Sequence, residues 1–274
     1  MLKKNYRLRV VGLVLLVAAL LLPPVGARAE MYVEAYLGGV FPASQSFSYS
    51  ATPTNFYNYN VSSPGKYDPA VLGGLKVGTW FVKEGFLGFN YPDWMKYLGF
   101  YLDFSYHRLN LRHQQASYSE LFAGLANTGQ LNYSSDGSIA TLAFMFAGRY
   151  GFFPDSEVPF GRLQPYVAVG PALCFISQKP RFSFSTFSGP FLTDNEDLSS
   201  KSNTALALAV EAGLRYMALK NVSIDASFKY RYASTSFDYT VNPGGNGFFV
   251  ATHDIKMDST LQLFSFQLGA AYHF

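Results

Sequence analysis

The chain has 274 residues, with hydrophobics at 49%, aromatics at 18% and charged residues at 14%. Charged residues make up about a quarter of an ordinary soluble domain, so a surface this poor in charge faces something other than water. The same apolar content, with a net charge of only +3, excludes an intrinsically disordered chain.

The excess of bases sits at the start. Lys3, Lys4, Arg7 and Arg9 precede an apolar run from Val10 to Leu22, and Ala27-Arg28-Ala29 follows with small-x-small spacing. This is the pattern of a secretory signal, with cleavage expected between Ala29 and Glu30. The run is shorter than the roughly 20 residues of a membrane-spanning helix. Removing residues 1–29 takes away five bases and no acid, which leaves 16 bases against 18 acids. No basic surface remains for nucleic acid, and none is expected as a partner. Cys174 is the only cysteine, so neither an internal disulfide nor a thiolate metal cluster can form.

From residue 30 onward the apolar residues are spread at period two. In chain order the predicted strands are 31–41, 70–82, 98–109, 138–151, 164–176, 204–217, 222–232 and 260–274. The third and seventh are the cleanest. Leu98, Phe100, Leu102, Phe104 and Tyr106 alternate with Gly99, Tyr101, Asp103, Ser105 and His107. Val222, Ile224, Ala226, Phe228, Tyr230 and Tyr232 alternate with Ser223, Asp225, Ser227, Lys229 and Arg231. A helix would scatter both sets around its circumference; a strand separates them onto two faces. Segments 138–151 and 204–217 are rich in Ala and could be taken for helices, and Pro165 and Pro171 weaken the fifth segment as a paired strand.

Each segment is long enough to cross a bilayer as a tilted strand. The connections alternate, running to about 28, 15, 28, 12, 27, 4 and 27 residues. Long, polar outer loops and short periplasmic turns give this asymmetry, and an even count puts both chain ends on the periplasmic side. The sheet must close, because open edges in lipid cost several kcal/mol per unpaired group. The expectation is all-β: an eight-stranded antiparallel up-and-down transmembrane barrel over 30–274. Its loops at 43–68, 112–136, 179–202 and 236–258 are expected to lie outside the ladder and to carry recognition.

With its signal, its eight strands and the ending Ala271-Tyr272-His273-Phe274, the sequence resembles the eight-stranded outer-membrane barrels of Gram-negative bacteria. These include the OmpA transmembrane domain and the OmpX and opacity-protein group. Phe274, with Phe264, Phe266 and Tyr272 before it, matches the C-terminal strand signal read by that family's assembly machinery. Pro165-Tyr166-Val167-Ala168-Val169-Gly170 and Glu211-Ala212-Gly213-Leu214-Arg215-Tyr216 are also family-like. The segment after Phe274 that would match a peptidoglycan-binding domain is not in this sequence. The connections near 83–95 and 152–163 are longer than is usual in the family. The resemblance implies an outer-membrane location, with membrane lipid, lipopolysaccharide and the barrel-assembly machinery as partners. An extracellular ligand at the loops and a monomeric state go with it.

Putting the apolar parity in lipid places Glu34, Lys76, Asp103, Arg149, Glu211, Arg215, Asp225, Lys229 and Arg231 in the lumen. Eight strands enclose just enough room for side chains to fill, so these charges are expected to form a packed structural network. Asp103, Ser105 and His107 share one strand face, but successive same-face residues stand nearly 7 Å apart, too far for a relay of about 3 Å. Lipid A deacylase and palmitoyltransferase barrels use this architecture, and the deacylase aims its Ser and His at lipid, whereas His107 points inward. His273 lies at the periplasmic end, and His113 and His253 fall in different outer loops. The groups His253-Asp254-Asp258 and Asp194-Glu196-Asp197 lack calcium-loop spacing. No catalytic residue, cofactor or metal is therefore expected. Phe41, Phe81, Tyr106, Tyr150, Phe152, Tyr216 and Tyr232 fall near strand ends, as interfacial girdles do. The leading functional expectation is a non-enzymatic barrel with a structural or surface-interaction role through its loops. A small transport channel is the alternative, with a lipid A-modifying enzyme behind it.

Overall fold

The computed structural model describes residues 30–43, 45–53, 59–82, 91–122, 125–186, 194–241 and 253–274. The signal segment and its cleavage after Ala29 lie outside them. Twelve strands and one 3-10 turn (Asp93–Tyr97) make up the described chain. The strands are β1 (Glu30–Pro42), β2 (Gln45–Pro53), β3 (Tyr59–Gly65), β4 (Ala70–Trp80), β5 (Leu98–Arg108), β6 (Leu111–Phe122), β7 (Leu125–Arg149), β8 (Leu163–Thr186), β9 (Asp194–Asp197), β10 (Lys201–Leu219), β11 (Val222–Val241) and β12 (His253–His273).

Eight of them close a ring in the order β1-β4-β5-β7-β8-β10-β11-β12, with β12 pairing back onto β1. All eight predicted segments are members of this ring. The Ala-rich segments are strand, because in a closed sheet each small side chain still alternates between lumen and lipid. Pro171 has a local effect. The β7–β8 ladder is interrupted between Ala143↔Ala172 and Phe146↔Val169, where proline offers no N–H. At neighbouring Gly170 a Cβ would overlap the carbonyl oxygen of Phe144.

The long connections differ from their expectation. They are in good part sheet. β2 pairs with β12 and with β3, β6 pairs with β7, and β9 pairs with β8. β7, β8, β11 and β12 run on well past the predicted ends, and β10 nearly keeps its own. Between β3 and β6 the wall is joined by a bridge at Tyr67↔Leu111 and by Arg112 N–H donating to Lys66 O at 2.9 Å and Asp68 N–H to Asn110 O at 2.9 Å. Above the ring, β2, β3 and β6 thus take over from β1, β4 and β5 on a wall that the other five strands carry through. Backbone N–H and C=O groups leaving the bilayer still need partners, and continuing the ladder supplies them.

Candidate functional site

The lumen is filled in three layers, each set by inward residues of facing strands. At the periplasmic floor the Arg149 guanidinium lies 4.1 Å from the centres of both the Trp80 and Phe160 rings. It also donates to the Glu30 carboxylate at 2.5 and 2.6 Å and to Gln164 at 3.0 Å. Phe160 reaches this place because the connection 150–162 folds under the barrel. Asp155 accepts the backbone N–H groups of Val158 and Glu157 at 2.7 and 2.9 Å, and Arg162 binds the same carboxylate. Gly161 has φ +125°, which favours glycine.

The middle layer is ionic. Lys76 contacts Glu34 at 2.9 Å and Glu211 at 2.7 Å, with Asp225 at 3.9 Å. Arg215 pairs with Glu34 at 2.7 Å and Asp225 at 3.3 Å. Lys229 pairs with Glu211 at 2.9 Å and with Asp103. Tyrosines complete it. Tyr36 donates to Asp103 at 2.5 Å, Tyr101 to Glu211 at 3.0 Å, and the Tyr166 hydroxyl stands 2.7 Å from Glu211 and 2.8 Å from Asp225. Bringing β1, β4, β5, β8, β10 and β11 to one centre is what barrel closure does. Buried charges are tolerated only with such partners.

All nine lumen charges predicted from parity are buried. The structure brings Glu34, Lys76, Asp103, Glu211, Arg215, Asp225 and Lys229 into one network. It separates Arg149, on the floor, and Arg231, one layer above. Arg231 has no carboxylate within ion-pairing distance among the described residues. Its guanidinium donates to Ser105 and Thr141 at 3.1 Å each and reaches His107 Nε2 at 3.5 Å. His107 Nδ1 lies 2.8 Å from the Arg108 carbonyl, so Nδ1–H donating there leaves Nε2 free to accept. Asp103 is held by Tyr36 and Lys229, whereas Ser105 and His107 both serve Arg231, so the three form no relay. Sequence reasoning missed Glu30 and the tyrosines Tyr32, Tyr36 and Tyr166, although Tyr32 and Tyr36 share the inward parity of Glu34.

The third layer is apolar. Val40, Leu72, Ile139, Ile176, Leu261 and Leu263 close over Arg231, and Leu109, Leu111, Phe237 and Met257 follow; all are buried. Between Tyr67, Ser135, Gln178, Thr235 and Ser259 and these apolar groups a cavity of about 20 Å³ remains, room for about one water.

The outside changes at the same level. On β11, Ile224, Ala226, Phe228, Tyr230 and Tyr232 face outward below, and Ser234, Ser236 and Asp238 above. The inward residues change the other way, from Asp225, Ser227, Lys229 and Arg231 to Ala233, Thr235, Phe237 and Tyr239. β12 repeats the exchange: Phe266 and Phe264 give way outside to Gln262, Thr260 and Asp258, and Gln267 and Ser265 inside to Leu263, Leu261 and Met257. Tyr232 is in register with Gln262, so both strands switch at one height. This is the outer boundary of the lipid-facing band. Phe41, Tyr106, Tyr150, Phe152, Tyr216 and Tyr232 are exposed on its rims, and Phe81 packs against Tyr91 with ring centres 5.3 Å apart and planes tilted by 45°.

Among the described residues no group of His, Cys, Asp and Glu converges as metal ligands. The side chains of Asp194, Glu196, Asp197, His253 and Asp254 lie outside those described; Asp258 and His113 are exposed.

No curated protein sequence matches the chain. Among solved structures it is similar to Neisserial surface protein A, at 13% identity over 89% of this chain and 97% of that one, with a TM-score of 0.38. It is similar to the attachment invasion locus protein Ail of Yersinia pestis, at 15% identity over 89% and 99%, with a TM-score of 0.35. It is also similar to OprG of Pseudomonas aeruginosa, at 16% identity over 91% and 98%, with a TM-score of 0.42. The family model described as the outer membrane protein beta-barrel domain matches residues 15–274. A closed ring whose outward face is apolar over one band, together with that match across nearly the whole chain, makes this protein a member of the outer-membrane β-barrel family, resident in the outer membrane.

Proposed function

We propose that the protein is a non-enzymatic outer-membrane barrel whose membrane-embedded part is a closed scaffold and whose extracellular sheet provides an interaction surface. The observation that carries this reading is the packed lumen, with a stacked guanidinium floor, an ionic middle and an apolar upper layer that leaves room for about one water. The extracellular wall is a ladder on which polar side chains face outward, and a rigid scaffold with solvent-facing variation is where recognition is commonly placed. Its partners are an extracellular ligand on that wall, outer-membrane lipid and lipopolysaccharide around the band, and the barrel-assembly machinery acting on the C-terminal strand ending at Phe274. It works as a monomer, needs no cofactor, and takes residues 30–274 as one domain after loss of the signal. The nine lumen charges have a structural role in it.

Planar-bilayer recording of the refolded protein tests the reading. The expected result is a silent membrane. Reproducible stepwise conductance would replace it with the small-channel alternative.

A further inference from the structure

Just above the lipid-facing band the outer wall is electrically lopsided. On the β11–β12 side the first polar levels present Ser234, Ser236, Asp238, Gln262, Thr260 and Asp258. On the β5–β7–β8 side they present Arg108, Asp136, Ser138, Lys179 and Arg181. Register fixes their heights. Tyr106, the girdle aromatic of β5, lies across from Ala140 and through it from Phe175, and one outward step higher Arg108 lies across from Ser138 and through it from Ser177. Lys179 is the next outward residue of β8 and stands in register with Asp136.

These cations are not equivalent. Arg181 is held by Asp136 at 2.7 Å, and its backbone is in register with Asp197; Arg112 is held by Asp68 at 2.5 Å. Arg108 and Lys179 have no ion pair among the described residues. Two inter-strand spacings across and one same-face step along put their Cα atoms roughly 12 Å apart, and both side chains are long enough to meet between them. A paired cation satisfies the protein. Two unpaired cations, one and two outward steps above the aromatic level of Tyr106 and Phe175, are placed for an anion held at that depth, and the anions fixed at this boundary are headgroup phosphates.

Taking the outer-leaflet lipid of the proposed function as given, we propose that Arg108 and Lys179 form a phosphate clamp for an outer-leaflet glycolipid, with the acyl chains lying along the band below Tyr106 and Phe175. The occupant is the phosphorylated lipid, anchored by both ends of its chemistry, rather than free phosphate. Asp136 and Ser138 lie between the clamp residues, and Asp136 stays turned to Arg181.

The test is a binding titration of the full chain in neutral detergent micelles with bis-phosphorylated lipid A, with its dephosphorylated form, and with inorganic phosphate. The variants are R108Q/K179Q and a charge-matched control, K96Q/K220Q, at the periplasmic end. Each basic residue near an anionic surface contributes enough for about a fivefold change in affinity. The parent and the control should prefer the phosphorylated lipid, and R108Q/K179Q should lose at least about tenfold for it while keeping its affinity for the dephosphorylated form. Should the double variant fail to refold, R108Q alone is read, with about fivefold expected. Equal parental affinity for both lipids, an unchanged R108Q/K179Q, an equal loss in the control, or inorganic phosphate competing as well as the lipid would each overturn the proposal. A silent bilayer recording is indifferent to all four results, so this failure and that of the closed-scaffold reading are separable.

Discussion

One tube is filled in two opposite ways. Around Glu211 the lumen is ionic, with Lys76, Lys229, Tyr101 and Tyr166 converging on one carboxylate. Around Leu261, farther up the same barrel, it is hydrocarbon. The difference follows from what lies outside each level. Where lipid surrounds the wall, apolar side chains gain nothing by turning inward, and the polar residues that cannot face lipid are collected in the lumen and must neutralise one another. Where water surrounds the wall, the hydrophobic effect returns and the strand buries its apolar face as an ordinary sheet does. A single strand such as β11 obeys both rules in turn.

The largest expected effect comes from breaking the ionic level. Glu211→Gln leaves two buried lysines sharing one fewer charge, and urea unfolding of the refolded barrel in vesicles should show a loss of about 3–5 kcal/mol. A loss below about 0.5 kcal/mol would mean that this level is hydrated. Next is a matched pair on one strand and one face. Phe228→Arg puts a cation in the lipid-facing band and should cost about 2–4 kcal/mol. Ser234→Arg, three outward positions higher and exposed, should stay within about 0.5 kcal/mol. Similar losses from both would remove the boundary between the two levels.

The smallest effect is a pH response in the floor connection. Hydrogen bonds from the Val158 N–H and then the Arg162 side chain hold the Asp155 carboxyl below its ordinary value of 3.8. A carboxyl depressed by folding stabilises fully above its unfolded value, and that contribution disappears as pH falls through the folded value. The turn should therefore be unchanged from neutral pH to about 5 and loosen only in stronger acid. An NMR titration following the Val158 amide checks this, and a transition above 3.8 would contradict the assigned bonds.

The ring was legible because lipid enforces strict alternation. Leu98 to His107 and Val222 to Arg231 can be read by parity alone, and parity put Glu34 and Asp225 on the same side before any contact was known. Reading only the first rule also hid the rest. Past Tyr232 the apolar residues shift from even to odd positions, with Ser234, Ser236 and Asp238 against Phe237 and Tyr239. A period sought at fixed phase ends there, so the strand seems to stop where only its surroundings change. The partners of the lumen charges were not legible, since Lys76 and Glu211 lie 135 positions apart and meet only through ring closure. Nor was the Phe160 floor, which depends on a turn conformation set by Asp155 and Gly161 and has no periodic signature.

The pairing of β1 with β12, from Tyr32↔His273 to Pro42↔Leu263, bears on how the molecule comes into being. One edge of the first strand delivered must wait, unpaired, for the last, while its other edge pairs with β4. Until then two strand edges have open N–H and C=O groups, each costing several kcal/mol if exposed to hydrocarbon, and Glu34 on β1 has yet to meet Arg215 on β10. Contacts of such long sequence separation form slowly. Biogenesis therefore turns on a waiting period, and the nascent sheet needs a temporary neighbour for its edges during that interval, one that lets go when the two ends of the chain find each other.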